Sequence, residues 1–356
     1  MKVLSVVGAR PQFIKAFAVS AELRPRATEV LVHTGQHYDV ELSQVFFDEL
    51  GIPAPDHNLE VGSATHGVQI AEMLARLESV MAAERPDAVL VYGDTNSTLS
   101  GALAAAKLDI PLAHVEAGLR SYNRRMPEEV NRVVADHLAE LHFCPTDTAV
   151  ANLAREGVTE MVVNVGDVML DTARHFAEQE EPAVAAQRHD VEPGGYVLAT
   201  VHRAGNTDDR DALEGILEGL AASEAPVLFP VHPRTLSAVR THGLEAVLTA
   251  GSLRPLTPLP YHEMMALLRG ARALATDSGG MQKEAYFFEV PCVTLRAETE
   301  WVETVELGWN ELVGAGAEAI AGALADPPRG GAHPPVYGDG HAGRRIVDEL
   351  VERFGA

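Results

Sequence analysis

Short apolar runs alternate with longer amphipathic stretches along almost the whole chain. In the first half, six apolar runs have the length of buried strands: KVLSVVG, EVLVHTG, AVLVYGD, PLAHVEA, LHFCPT and MVVNVG. The stretches between them space their apolar residues as helices do, as in PQFIKAFAVSAELR, VELSQVFFDEL, HGVQIAEMLARLESVMAAE, TNSTLSGALAAAKL and PEEVNRVVADHLAE. Continuous apolar strands joined by helix-length connections predict a parallel sheet that is covered by helices on both faces.

The pattern restarts in the second half, with strand candidates YVLATVH, PVLFPVH, ALATDSG and PCVTLRA. A polar stretch with Pro and Gly at residues 180–195 is the expected linker between the two halves. A second such run, DPPRGGAHPPVYGDG, precedes a last amphipathic helix, HAGRRIVDELVERF. We therefore predict two doubly wound, Rossmann-like α/β domains, residues 1–170 and 171–340, with the C-terminal helix 341–356 joining the first.

Length and charge agree with this division and limit the partners. A chain of 356 residues exceeds one ordinary core, and 46% hydrophobic with 22% charged residues is typical of a soluble globular protein. The net charge of −23 argues against a nucleic-acid partner, because phosphate binding needs an electropositive face. An anionic substrate would need cations that are clustered locally.

The cysteine count argues against disulfides and zinc, and the first residues predict a cytoplasmic protein. Cys144 and Cys292 are too few for a disulfide framework or a cysteine zinc site. The acidic run DDRD at residues 208–211 is interpreted as helix capping, so that no metal site is predicted. The opening apolar run is too short for a signal segment or a membrane span and predicts a first β-strand.

Ligands of doubly wound sheets bind beyond the carboxyl ends of the strands, and polar residues follow the predicted strands here. After the first strand, GARPQFIK offers Gly8 for a tight turn and Pro11 for a helix start, where Arg10 and Lys15 could flank an anion. A capped helix with a surface arginine is the alternative. Neither a G-x-G-x-x-G fingerprint nor a Walker A motif occurs.

Two later strands each end in a carboxylate. Asp94 follows VYG and Glu116 follows HV. Asp94 alone could be a helix N-cap. A carboxylate at the rim of a buried sheet is costly unless it is paired or used, so the two together favour a shared site.

The segment HVEAGLRSYNRRMPEEVNR then concentrates opposed charges. Pro127 starts a helix, and we interpret Glu129 as an acid that complements the helix dipole. Glu128 and Arg132 are four residues apart and share a helix face, where an ordinary surface ion pair is the alternative to a functional role.

The second half supplies a matching set of strand-end residues. His202 and His232 each follow a strand. Another strand ends in a Gly-rich helix start whose backbone N–H groups could bind a phosphate, formed by Ser278, Gly279 and Gly280. Glu284 lies one turn later, where it could accept hydrogen bonds from ribose hydroxyls.

Taken in order, these segments resemble those of the non-hydrolysing UDP-N-acetylglucosamine 2-epimerases. The matching stretches are GARPQFIK, TGQHYD, VYGDTNST, HVEAGLRS with RRMPEEVNR, TVHRAGN, PVHPRT, TDSGGMQKEA and LRAETEWVETVELGWNELVG, which run from residue 8 to about 314. The resemblance implies two Rossmann-like domains with an interdomain cleft (the GT-B architecture) in a cytoplasmic homodimer. It also implies interconversion of UDP-GlcNAc and UDP-ManNAc for surface polysaccharide precursors, with neither metal nor nicotinamide cofactor.

The resemblance also assigns residues. It implies catalytic roles for Asp94, Glu116, Glu128 and His202. It implies substrate contacts from Arg10, Lys15, Arg132, His232, Tyr261, Met264, Ser278, Gly279, Gly280 and Glu284, of which Tyr261 and Met264 belong to the segment that packs on uracil. A second, allosteric UDP-GlcNAc site would use Gln36 and His37.

This sequence departs from the family pattern at three places. Gly205 stands where the family usually has Glu, and Trp301 stands where some members have Arg. Asp39 stands where the family's Gln-His-x-Gln/Glu segment ends in Gln or Glu, so that allosteric activation is left open.

Inversion at C2 of a sugar can proceed by elimination of UDP, which needs acid–base groups on both faces of C2 and stabilisation of the leaving diphosphate. Three alternatives use similar residues: a hydrolysing epimerase that releases ManNAc and UDP, a GT-B glycosyltransferase, and a non-catalytic nucleotide-sugar sensor. The strand-end carboxylates argue against the sensor, since binding a polyanion does not call for them. Other UDP-2-acetamido sugars stay open as substrates.

Overall fold

The computed structural model describes residues 1–36 and 54–355. The predicted helix VELSQVFFDEL lies outside these residues. The chain divides into two compact units: unit 1 comprises residues 1–172 and 335–356, and unit 2 comprises residues 173–334. Each unit contains one parallel β-sheet, which confirms the predicted α/β class with two such sheets.

Unit 1 contains a seven-stranded sheet in the order β3-β2-β1-β4-β5-β6-β7. Its strands are β1 Lys2–Val7, β2 Thr28–His33, β3 His57–Asn58, β4 Ala88–Tyr92, β5 Leu112–Val115, β6 Leu141–Cys144 and β7 Val162–Asn164. The helices that accompany them are α1 Arg10–Leu23, α2 His66–Glu84, α3 Asn96–Lys107, α4 Pro127–Leu138, α5 Asp147–Arg155 and α6 Val168–Ala177, the last of which crosses the boundary between the units.

The core of unit 1 explains why its strands are apolar throughout. Alternate residues of β1, β2 and β4 pack on one face against Met73, Leu77 and Met81, which recur at helical spacing in α2. Small residues of α3, such as Ala102 and Ala105, let that helix approach the same face. A central parallel strand is buried on both sides, so β4 shows a continuous apolar run rather than an alternating one.

Unit 2 contains a six-stranded sheet in the order β10-β9-β8-β11-β12-β13. Its strands are β8 Val197–Thr200, β9 Val227–Pro230, β10 Leu253–Leu256, β11 Ala273–Thr276, β12 Cys292–Thr294 and β13 Asn310–Leu312. Its helices are α7 Pro182–Arg188, α8 Ala204–Thr207, α9 Arg210–Ala221, α10 Pro233–His242, α11 Glu245–Leu248, α12 Tyr261–Gly270, α13 Gly279–Phe287, α14 Val302–Glu306 and α15 Ala317–Ala325.

The predicted linker at residues 180–195 lies inside unit 2. It contains α7, whose Ala185 and Ala186 are buried, so this stretch is part of the unit 2 fold. The DDRD run is helix capping, as predicted, because the Asp209 carboxylate accepts hydrogen bonds from the N–H groups of Asp211 and Ala212 at 2.9 and 3.1 Å.

The C-terminal helix, α16 Ala342–Phe354, belongs to unit 1 and packs on α1. A Cβ atom at Gly343 would lie 2.4 Å from the Ala18 carbonyl oxygen, which shows how closely the two helices approach. The Asp171 carboxylate caps this helix by accepting from the N–H groups of Ala342 and Gly343 at 3.1 and 2.8 Å. Burial raises the pKa of Asp171. No helix in the described part of the chain is long and apolar enough to cross a membrane.

Candidate functional site

The strand order places the predicted site residues of unit 1 together. The order reverses between β1 and β4, so their carboxyl ends flank the topological switch point, where ligands of doubly wound sheets bind. The Gly93–Asp94 turn follows β4, and Glu116 follows the neighbouring β5. Helix α1, which begins just after β1, supplies Lys15.

Lys15 and Glu116 form a buried ion pair between the Lys15 ammonium and Glu116 Oε2. Each residue is 7% exposed. The Gly93 backbone lies close to the pair: a Cβ atom at Gly93 would be 2.9 Å from Lys15 Nζ and 3.2 Å from Glu116 Oε2. Buried charges are tolerated when they are paired, and this pair places an ammonium and a carboxylate at the switch point.

Asp94 is paired with Arg132. Arg132 Nη2 donates to Asp94 Oδ2, and the Asp94 side chain is still 26% exposed, whereas Arg132 is buried. The Asn131 amide donates to the Asp94 carbonyl oxygen at 2.9 Å, which ties this turn to the first half of α4. Lys15, Asp94, Glu116 and Arg132 are called the unit 1 cluster below.

Glu129 is more than the helix-start acid that the sequence predicts. It is buried, and its carboxylate accepts hydrogen bonds from the Ser121 N–H and hydroxyl at 2.9 and 3.0 Å and from the Tyr122 N–H at 2.9 Å. Arg132 Nη1 donates to the same carboxylate at 3.0 Å. Glu129 therefore fastens the loop after β5 to α4. Sequence periodicity does not reveal this role of Glu129, because Ser121 and Tyr122 belong to an irregular loop.

The surface ion pair between Glu128 and Arg132, which was the alternative to a functional role, does not form, since Arg132 binds Asp94 and Glu129 instead. Glu128 lies in the first turn of α4 and is half-buried. Within residues 1–36 and 54–355, no hydrogen bond or ion pair engages its carboxylate. Arg124 and Arg125, in the preceding loop, are exposed.

Two other predicted residues fall wholly or partly outside the described residues. The backbone of Arg10 starts α1, but its side chain is not among the described parts, and His37 lies outside the described residues. The Gln36 side-chain oxygen accepts hydrogen bonds from the Ser97 N–H and hydroxyl at 3.0 and 2.7 Å, at the start of α3.

In unit 2, the strand order reverses between β8 and β11, and the predicted residues again follow these strands. The organising group is Asp277, which sequence reasoning overlooked. It is fully buried, and its carboxylate accepts hydrogen bonds from the N–H groups of His202 and Arg203 at about 3 Å and from the Asn206 amide at 3.1 Å. An acid directly after a strand and before Ser-Gly-Gly was the available signal.

The two predicted histidines of unit 2 lie side by side. The ring centroids of His202 and His232 are 5.5 Å apart. His202 Nδ1 lies 3.6 Å from Asp277 Oδ1, and its side chain is 39% exposed. His232 caps α10 by accepting from the Arg234 N–H at 3.1 Å through Nδ1, so at least part of its role is structural.

The Gly-rich segment starts a helix, as the sequence predicts. Ser278 caps α13, and a Cβ atom at Gly279 would lie 3.2 Å from the indole Nε1 of Trp301 and 3.6 Å from Arg203 Nη2. The buried Lys283 ammonium lies 3.9 Å from the centroid of the Trp301 ring, in a cation–π contact. The Trp301 indole N–H and the Arg203 guanidinium thus lie beside the N-terminus of α13.

Glu284 and Tyr261 are joined by a hydrogen bond. The Tyr261 hydroxyl donates to Glu284 Oε1 at 2.6 Å, and both residues are buried, as is Met264. The Tyr261 ring also contacts Phe176 edge-on, with centroids 5.4 Å apart. His202, His232, Asp277, Ser278, Trp301 and Glu284 are called the unit 2 cluster below.

Two of the departures from the family pattern, Gly205 and Trp301, have different surroundings. A Cβ atom at Gly205 would contact nothing within 4 Å in the described structure, so packing leaves room for a side chain there. Trp301, in contrast, is 4% exposed and is fixed by its neighbours.

Known proteins resemble the chain over most of its length. A family model described as UDP-N-acetylglucosamine 2-epimerase matches residues 20–351. A protein of Methanococcus maripaludis named UDP-N-acetylglucosamine 2-epimerase homolog is 50% identical over 309 residues, covering 86% of each chain. The UDP-2,3-diacetamido-2,3-dideoxy-D-glucuronate 2-epimerase of Pseudomonas aeruginosa is 48% identical over 316 residues, covering 86% of this chain and 87% of that one.

A solved structure of a similar protein has the same fold as this chain. The crystal structure of Methanocaldococcus jannaschii UDP-GlcNAc 2-epimerase, in complex with UDP-GlcNAc and UDP, superimposes with a TM-score of 0.91. It is 39% identical and is matched over 99% of this chain and all of the other.

Proposed function

The chain belongs to the UDP-N-acetylglucosamine 2-epimerase family and is an isomerase, and on this premise we propose that it interconverts UDP-GlcNAc and UDP-ManNAc without net hydrolysis. The observation that carries the proposal is the unit 1 cluster, where carboxylates at two successive strand ends are held by Lys15 and Arg132. Binding alone would not require carboxylates beside a polyanion.

The proposed reaction is an elimination followed by an addition. A carboxylate accepts the proton from C2, the C–H electron pair forms the C1–C2 double bond, and UDP leaves C1 with the electron pair of the C–O bond. UDP then adds back to C1 while a proton is delivered to the opposite face of C2. Two faces require more than one acid–base group, and Asp94, Glu116 and Glu128 are the candidates.

Unit 2 supplies what the leaving group needs. The diphosphate gains negative charge as the C–O bond breaks, and preorganised donors stabilise such charge best. Asp277 fixes the His202–Arg203 backbone, and the N-terminus of α13 presents N–H groups beside the Trp301 indole. We assign the binding of UDP to the unit 2 cluster, with Glu284 as the candidate acceptor for ribose hydroxyls.

One relative suggests an alternative sugar substrate. The Pseudomonas aeruginosa relative, at 48% identity, is named for a UDP-2,3-diacetamido-2,3-dideoxyglucuronate. Comparing kcat/KM for UDP-GlcNAc and for that uronate decides between the two substrates. A homodimer, a cytoplasmic location and a role in surface polysaccharide synthesis complete the proposal and rest on family membership alone.

Single replacements of the carboxylates test the assignment. Asp94→Asn, Glu116→Gln and Glu128→Gln should each lower deuterium incorporation at C2 from D₂O, because each removes a group that carries or positions the proton. Losses on the order of 100-fold are expected for removal of an acid–base group. UDP affinity, measured by calorimetry, should stay within a few-fold of the wild type, since UDP binding is assigned to unit 2.

Glu160→Gln is the matched control, because Glu160 is an exposed acid of the same unit that lies outside the cluster. It should retain normal exchange. Near-normal turnover in all three cluster variants would refute the assignment.

A further inference from the structure

His114 is a buried histidine whose two ring nitrogens both face acceptors. It lies in β5 with no exposed surface. Its Nδ1 is 2.7 Å from Asp136 Oδ1, and its Nε2 is 2.7 Å from the Gly93 carbonyl oxygen. A neutral imidazole carries only one N–H, so one of these short contacts would oppose two lone pairs without water to relieve them.

Asp136 cannot solve this conflict by carrying the proton itself. Its other oxygen, Oδ2, accepts from Arg120 Nη1 at 2.7 Å and from the Gly118 N–H at 3.2 Å, a set of donors that stabilises the carboxylate. The remaining proton therefore belongs on the His114 ring.

The neighbouring histidine provides a contrast within the same sheet. His142 is the register partner of His114 on β6 and is also buried. Its Nε2 is 2.7 Å from the Asp136 carbonyl oxygen, whereas its Nδ1 has no hydrogen-bond partner in the described part of the chain. One acceptor requires one N–H, so His142 has the environment of a neutral ring.

His114 contacts the Gly93 carbonyl, and Gly93 belongs to the turn that carries Asp94 of the unit 1 cluster. Gly93 lies against Lys15 and Glu116, and the following residue is Asp94. Asp136, the other partner of His114, is one helical turn after Arg132, which binds Asp94. The Gly93–Asp94 turn is thus linked to α4 twice, through His114 between the Gly93 carbonyl and Asp136 and through Arg132 on Asp94.

We propose that His114 is a positively charged positioning residue, whose Nε2–H holds the Gly93 carbonyl and thereby fixes Asp94 and the Lys15–Glu116 pair for proton transfer. This inference rests on the proposed function, because it assigns His114 a part in the same acid–base chemistry. His114 touches no substrate. Its effect is on the orientation of the groups that do.

Two neutral replacements separate the two hydrogen bonds. His114→Gln places an amide nitrogen near the former Nε2 and can still donate to Gly93, whereas His114→Asn places one near the former Nδ1 and can donate only to Asp136. Since a displacement of about 1 Å can cost on the order of 100-fold in rate, kcat for C2 exchange should fall about that much in His114→Asn. It should fall much less in His114→Gln, with KM and UDP affinity unchanged in both.

Both variants lose the same buried charge, so their melting temperatures should fall by similar amounts. A purely structural role would lower stability in both and leave their kcat values equal. Equal kcat values, whether both normal or both reduced, would overturn the positioning role.

The charge is tested directly by two-bond ¹H–¹⁵N NMR of ¹⁵N-histidine-labelled wild-type enzyme, with the His114→Gln variant used for assignment. We expect both ring nitrogens of His114 to carry protons and His142 to show one bare nitrogen. A bare nitrogen at His114 would overturn the inference. The proposed function fails separately, namely if wild-type enzyme shows no exchange at C2.

Discussion

The unit 1 cluster depends on two unusual backbone conformations. Glu116 has φ of 70° and Gly93 has φ of 59°, both in the left-handed region. For a residue with a side chain this conformation costs about 1–2 kcal/mol, and it persists where the surroundings determine it. At Glu116 the backbone N–H donates to the Phe143 carbonyl at 3.0 Å and the carboxylate is fixed by Lys15. At Gly93 the absence of a side chain leaves room for that same pair.

Gly93→Ala should therefore lower both C2 exchange and stability. The new methyl group would lie 2.9 Å from Lys15 Nζ, so the Lys15 side chain would have to move and the buried Lys15–Glu116 ion pair would be broken. Steady-state exchange rates and urea unfolding measure the two effects.

Gly157→Ala is the control for the backbone. Gly157 has φ of 83° and would meet no atom within 4 Å, so the left-handed penalty remains without the crowding. Equal loss of exchange in both variants would show that the Lys15 contact is unimportant.

At the scale of elements, the apolar pattern predicted central strands well and edge strands poorly. The strands that it missed, β3, β10 and β13, all lie at or next to open edges of their sheets, and each includes exposed or half-buried residues. Because an edge strand contacts fewer neighbours, its sequence need not be apolar. The helix predicted at residues 66–84 has the same bounds in the structure, because its apolar stripe faces the sheet.

The packing of α16 on α1 gives an element-scale prediction. Replacing a helical glycine with alanine usually stabilises by about 0.5–1 kcal/mol. Gly343→Ala should instead destabilise by about 1–3 kcal/mol, because the new Cβ would lie 2.4 Å from the Ala18 carbonyl and the helices would have to separate. Urea denaturation measures the change.

Gly322→Ala, in the exposed face of α15, is the matched control. A Cβ there meets nothing within 4 Å, so this variant should be as stable as the wild type or more so. A stabilised Gly343→Ala protein would mean that the two helices pack less closely than described.

At the scale of the whole molecule, the cations are placed against the overall charge. The chain carries a net charge of −23, yet Lys15 and Arg132 gather at the switch point of unit 1, and Arg203 and Lys283 gather beside the helix start of unit 2. Local clustering of this kind can bind an anion within an acidic protein. In unit 1 both cations are paired with carboxylates, Glu116 and Asp94, which agrees with the proposed assignment of the UDP diphosphate to the unit 2 cluster.

The sequence predicted the site residues that a local pattern places and missed contacts between residues that are distant along the chain. Asp94 and Glu116 were accessible because the position after a strand is readable from the local pattern. The position of Asp277 after β11 was equally readable, but the partners of Asp136 and Asp277 were not, because they are distant along the chain: His114 is 22 residues from Asp136, and His202 is 75 residues from Asp277. Such pairings are determined by strand order and helix placement, which periodicity alone does not specify.

The most direct test of the central claim is ¹H NMR of UDP-GlcNAc incubated with the wild-type enzyme in D₂O. Elimination and re-addition predict that UDP-ManNAc appears, that deuterium enters C2 of both sugars, and that the sugar stays attached to UDP. Steady accumulation of free ManNAc together with UDP, or a C2 proton signal that never decays, would contradict it.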